Sequence, residues 1–199
     1  MIDSAPLRGI AASLLALLVA LPAAAQDREW IRMWETAQRQ RPRTVASIAR
    51  IAPDKERGTP LIVHGRVYEN DGKTPRAGVI VFAYQTDAAG VYHRRGERGW
   101  RLRGWARSDA NGRFEFRTIR PAPYPNATEP AHIHFTIEAP KLQRRWTPDL
   151  QFAGDRLLTA RDKRASSAAG PFGSIRAVTT RAGVQHVDFN IRVADEGRF

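Results

Sequence analysis

From Pro60 onward the chain is written in short apolar or alternating runs, each closed by turn residues, and that spacing restricts it to an all-β fold. Leu61 to Tyr68 alternates and runs into Asn70-Asp71-Gly72, and Val79 to Tyr84 is a continuous apolar run too short for a helix. Residues 104–107 and the alternating 113–118 flank a turn at Ser108-Asp109-Ala110-Asn111-Gly112. Runs of this length, rich in β-branched and aromatic residues and bounded by Gly, Asn and Asp, form strands, and Asn-Gly supplies the positive φ a tight turn needs. Residues 131–138, 175–181 and 184–193 continue the series. The expectation is a β-sandwich of about seven to eight strands over residues 58–199, with little helix inside it and Val79 to Tyr84 buried on both faces.

Within this pattern one strand carries chemistry. His132-Ile133-His134 lies in the apolar run Ala131 to Ile137. On a strand, residues i and i+2 leave the same face about 6.5–7 Å apart, so two imidazoles stand side by side while Ile133 enters the core. Two loops longer than a sandwich needs, residues 92–103 and 120–130, each carry a tyrosine, Tyr92 and Tyr124. Loops of that length on a strand scaffold are where function concentrates. From the residues alone, both tyrosines equally fit a role covering the core edge. Tyr68 and Tyr84, inside strands, read as packing, and His64 and His186 as ordinary strand residues without a partner.

The first 25 residues form a separate unit. Arg8 precedes an apolar run from Ile10 to Leu21, followed by Pro22 and Ala23-Ala24-Ala25. This is the charge, apolar stretch and small-residue site of a signal peptide, cut after Ala25, and the run is short for a membrane span. The expectation is an exported protein, periplasmic or secreted, with no membrane attachment once the signal is removed. There is no cysteine, so no disulfide framework operates in that compartment and stability rests on the core or on a metal.

Residues 26–57 read as an N-terminal helical segment and connector. Trp30, Ile31, Met33, Trp34 and Ala37 recur at helical spacing over residues 27–41, and Val45 to Ile51 reads as a short helix. The formal net charge is +12, nearly all of it arginine. That balance suits anionic partners, but export argues against nucleic acid and no aromatic-plus-basic RNA motif interrupts the strands. The cluster Arg94, Arg95, Arg98, Arg101, Arg103 and Arg107 is compatible with substrates that bear an anion.

The fragments Gly65-Arg66-Val67, Asp71-Gly72, Gln85 to Tyr92, Asp109 to Phe114, Thr118 to Pro125 and His132-Ile133-His134, in this order, resemble the core of the intradiol ring-cleavage dioxygenases over roughly residues 58–158. That resemblance implies a β-sandwich holding one non-haem Fe(III), with Tyr92, Tyr124, His132 and His134 as ligands and water or hydroxide completing the shell. It further implies that Tyr124 is the ligand that leaves when a catecholate chelates the metal, taking a substrate proton. Phenolate is a hard anionic donor suited to a trivalent ion, and two phenolates with a hydroxide neutralise Fe(III). The implied reaction takes a small catecholic aromatic and O₂ to a muconate-type diacid; a homo-oligomer fits the resemblance equally well.

The chain departs from the resembled pattern at two positions. An arginine is expected three residues before the first histidine, where Glu129 stands, and a glutamine where the alignment places Asp149. Arg101 or Arg103 is the expected substitute for the missing cation, and both count as catalytic candidates. The alternative that these departures keep open is a non-catalytic ferric- or catecholate-binding module.

Overall fold

The computed structural model describes residues 23–94, 96–97, 99–126 and 128–193. The apolar run of the expected signal peptide, Ile10 to Leu21, lies outside them, as do Arg95 and Arg98. Among the described residues, helix α1 (Ala23–Arg39) is followed by strands β1 (Ile48–Arg50), β2 (Pro60–Tyr68), β3 (Ile80–Gln85), β4 (Leu102–Arg107), β5 (Arg113–Ile119), β6 (His132–Ala139), β7 (Leu142–Trp146) and β8 (Leu150–Phe152). Helix α2 (Ala160–Ala168), a single 3-10 turn at Gly170–Phe172, and strands β9 (Ile175–Arg176), β10 (Thr179–Arg181) and β11 (Val184–Arg192) complete the order.

The strands make two sheets, one in the order β1-β5-β2-β11-β10 and the other β4-β3-β6-β8-β9, with β7 paired to β6. Alternation along each strand decides what lies between them. Val63, Phe116 and Phe189 from the first sheet share one buried cluster with Val81, Ile133, Phe135 and Ile137 from the second. Burial of side chains this size stabilises by about 1.5–3 kcal/mol each. Because Ile133 and Phe135 face this core, His132 and His134 emerge on the other face of the second sheet.

Strand β3 is buried at all six positions. Its inward Val81 and Ala83 join the core between the sheets. Its outward Phe82 and Tyr84 join a second cluster with Trp100, Trp146 and Ala37, against which Trp30, Met33 and Trp34 of α1 pack. The helix is therefore the lid that makes this strand apolar on both sides, and it places an aromatic layer beside the histidine strand.

The structure corrects three local expectations. Residues 48–50 form a strand paired parallel to β5 rather than a helix, because Val45, Ile51 and Ala52 are buried on either side and the edge of β5 offers backbone partners. The run 175–181 is two strands, one on each sheet, not one. Helix α2 stands where the strand series predicts none. Its start is a capping box in which the Thr159 side chain accepts from the Asp162 N–H and Asp162 accepts from the Thr159 N–H. Eleven strands are present among the described residues, the surplus over expectation being short pieces such as β1, β8 and β9.

Candidate metal centre

The two loops that carry the tyrosines are stitched to each other before they reach the histidine strand. Thr86 Oγ1 donates to Ala122 O at 2.7 Å and Ala122 N to Asp87 O at 3.0 Å. Asp87 Oδ1 accepts from Ala89 N at 2.8 Å and Val91 N at 3.2 Å, closing the turn that presents Tyr92. Gly90 holds φ at +79°, and a Cβ on it would stand 2.1 Å from the Pro123 carbonyl oxygen, so only glycine lets the loops approach this closely.

That approach converges four polar atoms. Tyr92 Oη lies 2.7 Å from Tyr124 Oη and 3.0 Å from His134 Nε2. Tyr124 Oη lies 3.2 Å from His132 Nε2, and the two Nε2 atoms are 2.9 Å apart. The backs of both imidazoles are engaged. His132 Nδ1 is 2.7 Å from Pro130 O, which can only accept, so that nitrogen carries the proton. His134 Nδ1 is 2.9 Å from Asp149 Oδ1 and donates to it in the same way. Each ring then presents an Nε2 lone pair inward, and two lone pairs 2.9 Å apart repel unless a cation lies between them. Tyr92 Oη, Tyr124 Oη, His132 Nε2 and His134 Nε2 are the atoms able to hold one.

Burial raises the pKa of Tyr92 and Tyr124, and it lowers that of His132 with help from neighbouring His134. The pocket by itself thus keeps the phenols protonated and the imidazole neutral. A highly charged ion that takes the phenols as phenolates must displace two protons, which makes occupancy favoured by rising pH.

Asp149, His132 and His134 also form a compact group with one ligand atom each within 4.8 Å of the others. Asp149, however, meets His134 on the nitrogen turned away from the tyrosines. Its carboxylate orients the ring, which is what occupies the place where the resemblance puts a glutamine.

Glu129 is exposed. Arg101 and Arg103, the candidate substitutes for the missing cation, are engaged with other side chains. The Arg101 guanidinium binds Glu56 through both terminal nitrogens and Asp87 Oδ2 at 3.0 Å, while its backbone N–H donates to Tyr92 O at 2.9 Å. Arg103 donates to Gln40 Oε1 of the segment after α1. Among the described residues neither guanidinium hydrogen-bonds to any of the four converging side chains. Arg101 instead clamps the base of the Tyr92 loop to the connector. Arg94 stands 3.7 Å from the same Glu56.

Tyr84, read from the sequence as packing, is that and more: its ring stacks on His134 at 4.6 Å between centroids and on Trp100 at 3.9 Å. Its position follows from register, since Tyr84 stands opposite His134 across the β3–β6 pair.

A family model described as "Dioxygenase" matches residues 38–194. The chain belongs to the intradiol ring-cleavage dioxygenase family. Catechol 1,2-dioxygenase 1 of Acinetobacter lwoffii is 33% identical over 128 residues, covering 54% of this chain and 40% of that protein. The protocatechuate 3,4-dioxygenase beta chain of Burkholderia cepacia is 35% identical over 113 residues, covering 51% of this chain and 48% of that one. The matches thus span less than half the length of these curated relatives. Among solved structures, the dioxygenase domain of a carbohydrate-binding fusion protein from Streptomyces sp. SirexAA-E superposes with TM-score 0.58 at 24% identity, over 78% of this chain and 92% of that chain. The 3-chlorocatechol 1,2-dioxygenase of Rhodococcus opacus 1CP gives TM-score 0.59 at 20% identity, over 85% and 83%. At these identities the superpositions establish the shared fold. Members of this dioxygenase family use non-haem iron, and two phenols with two imidazoles are a donor set that fits it.

Proposed function

We propose that the chain is an Fe(III)-dependent intradiol dioxygenase that opens catecholic rings between the two hydroxylated carbons. The observation that carries this reading is the closed contact set of Tyr92, Tyr124, His132 and His134, with both outer imidazole nitrogens already hydrogen-bonded. Ferric iron held by these four side chains would supply Lewis-acid activation of a catechol toward O₂, a reaction in which both oxygen atoms enter the diacid product and no external reductant is needed.

The remaining work falls to side chains. Asp149 and Pro130 O hold the two imidazoles in the tautomer that turns Nε2 inward, so no reorganisation is needed when the ligand set forms. Tyr92 is surrounded by the rings of Tyr84, Trp100, Tyr124 and His134 and stays in place. Tyr124 sits on a loop flanked by Pro121, Pro123 and Pro125. Held as a phenolate by the metal, its Oη would take one of the two catechol protons, and hydroxide from the same shell would carry off the other as water. The aromatic layer of Tyr84 and Trp100 keeps water from the back of His134.

The family assignment favours turnover over a non-catalytic binding module. The test is metal analysis with a visible spectrum, followed by oxygen uptake with catechol, protocatechuate and hydroxyquinol. Tyrosinate-to-iron charge transfer predicts a reddish protein and a diacid product. A colourless ferric protein, or no uptake with any of the three, would overturn the reading. The residues from Arg8 to Ala25 support the further proposal that the chain is exported and cut before Gln26, which the N-terminal sequence of the mature protein checks.

A further inference from the structure

Arg103 has no carboxylate partner among the described residues. It stands opposite Tyr84 across the β3–β4 pair, and Tyr84 stands opposite His134, so Arg103 lies two strands, about 10 Å, from the histidine pair on the same outer face. Stacked Trp100 and Tyr84 fill the space on the His134 side. The guanidinium is half-buried, its hydrogen bond goes to the neutral amide of Gln40, and its Nε is buried with no acceptor among the described residues. Burial alone acts on its pKa, and lowers it. Arg101, two residues earlier, has two carboxylates.

Arg103 lines a cavity of about 650 Å³ between α1 and the Tyr92 loop. Trp100 lines it too; that residue is 1% exposed, and its indole N–H likewise lacks an acceptor among the described residues. Met33 adds an apolar wall and Arg32 a second guanidinium. One carboxylate, Glu97, is present, but it accepts from the Arg94 N–H at 3.0 Å and stands 3.9 Å from Arg101. A desolvated cation and an orphaned indole donor around one cavity cost free energy that an acceptor-bearing anion would recover.

We propose that this cavity is a second small-molecule site, distinct from the metal centre, that takes an aromatic carboxylate: the carboxylate on Arg103 and the ring against Met33 and Trp100. It does not depend on iron, and the reading goes beyond ring cleavage.

The test is calorimetric titration of the iron-free full chain with benzoate, benzamide and acetate, alongside thermal unfolding. Benzoate binds at one site and raises the unfolding temperature; benzamide and acetate bind at least about tenfold more weakly, one lacking charge and the other the ring. Arg103→Met weakens benzoate by about tenfold or more. Gln40→Glu does the same by giving Arg103 an internal carboxylate, and it keeps the fold readable if the first variant is unstable. A Tyr92→Phe chain, altered at the metal centre, still binds benzoate. No benzoate binding, equal binding by Gln40→Glu, or equal affinity for acetate overturns the proposal, and loss of binding in Tyr92→Phe assigns the ligand to the metal centre and overturns it as well.

Discussion

Two histidine pairs stand on the two outer faces of this molecule, and each brings two ring nitrogens to about the same distance. His132 and His134 have nitrogens 2.9 Å apart, with ring planes at 79°. His64 Nε2 and His186 Nδ1 are 3.0 Å apart, with planes at 5° and centroids 5.3 Å apart. In the second pair the rings are nearly coplanar and the nitrogens face each other, the geometry of one N–H···N bond. Only one ring is backed by a carboxylate, His64 Nδ1 lying 3.3 Å from Glu115 Oε2. In the first pair both backs are held by acceptors, so neither inner nitrogen has a proton to give. Proximity is therefore shared, and what separates a candidate metal centre from a hydrogen bond is which nitrogens are already committed as donors.

The widest predicted separation between the faces comes from Tyr92→Phe. Removing the oxygen that touches both Tyr124 and His134 should lower bound iron at least about tenfold and weaken and shift the visible band, measured by metal analysis and absorbance. Asp149→Asn comes next. An amide can present an N–H to His134 Nδ1 and release the inward tautomer, so iron affinity should fall about 10–100-fold by competition with a chelator, with a shifted charge-transfer band. If Glu115→Gln on the other face did the same, iron would not belong to the His132–His134 face alone.

Arg101→Met acts on the scaffold of the first face. It removes the guanidinium that Glu56 and Asp87 share and should destabilise by about 2 kcal/mol in thermal unfolding at neutral pH. Arg101 holds the Glu56 carboxyl below its ordinary value of 4.5, chiefly by hydrogen bonding. Stability from a depressed carboxylate is present above that ordinary value and lost as pH falls through the folded one, so the gap between wild type and variant should close in acid below about 4.5. His186→Gln is the smallest effect: one partly exposed hydrogen bond, about 1 kcal/mol or less, and unchanged iron content.

Much of the first face was legible. His132-Ile133-His134 on an apolar strand dictates two imidazoles on one side, and the order of fragments around Tyr92 and Tyr124 brought a family resemblance that the family match upholds. The misread parts share a cause. Residues 48–50 became a strand because β5 had a free edge, and His64 found His186 because β2 and β11, over a hundred residues apart, lie side by side and parallel. The clamp between Arg101 and Glu56 was likewise hidden by their distance in sequence. Helix α2 was within reach, since Thr159 and Asp162 are spaced as a capping box.

Local periodicity by itself determined that the chain is mostly strands, where its core residues point and which strand offers two imidazoles, because side-chain direction along a strand is a property of the backbone. Tertiary structure alone decided which nitrogen of each ring carries its proton, and that Arg101 rather than Arg103 meets carboxylates. Those outcomes depend on acceptors such as Pro130 O, Asp149 and Glu56, whose distances from their partners are set by strand register and loop closure rather than by spacing in the chain.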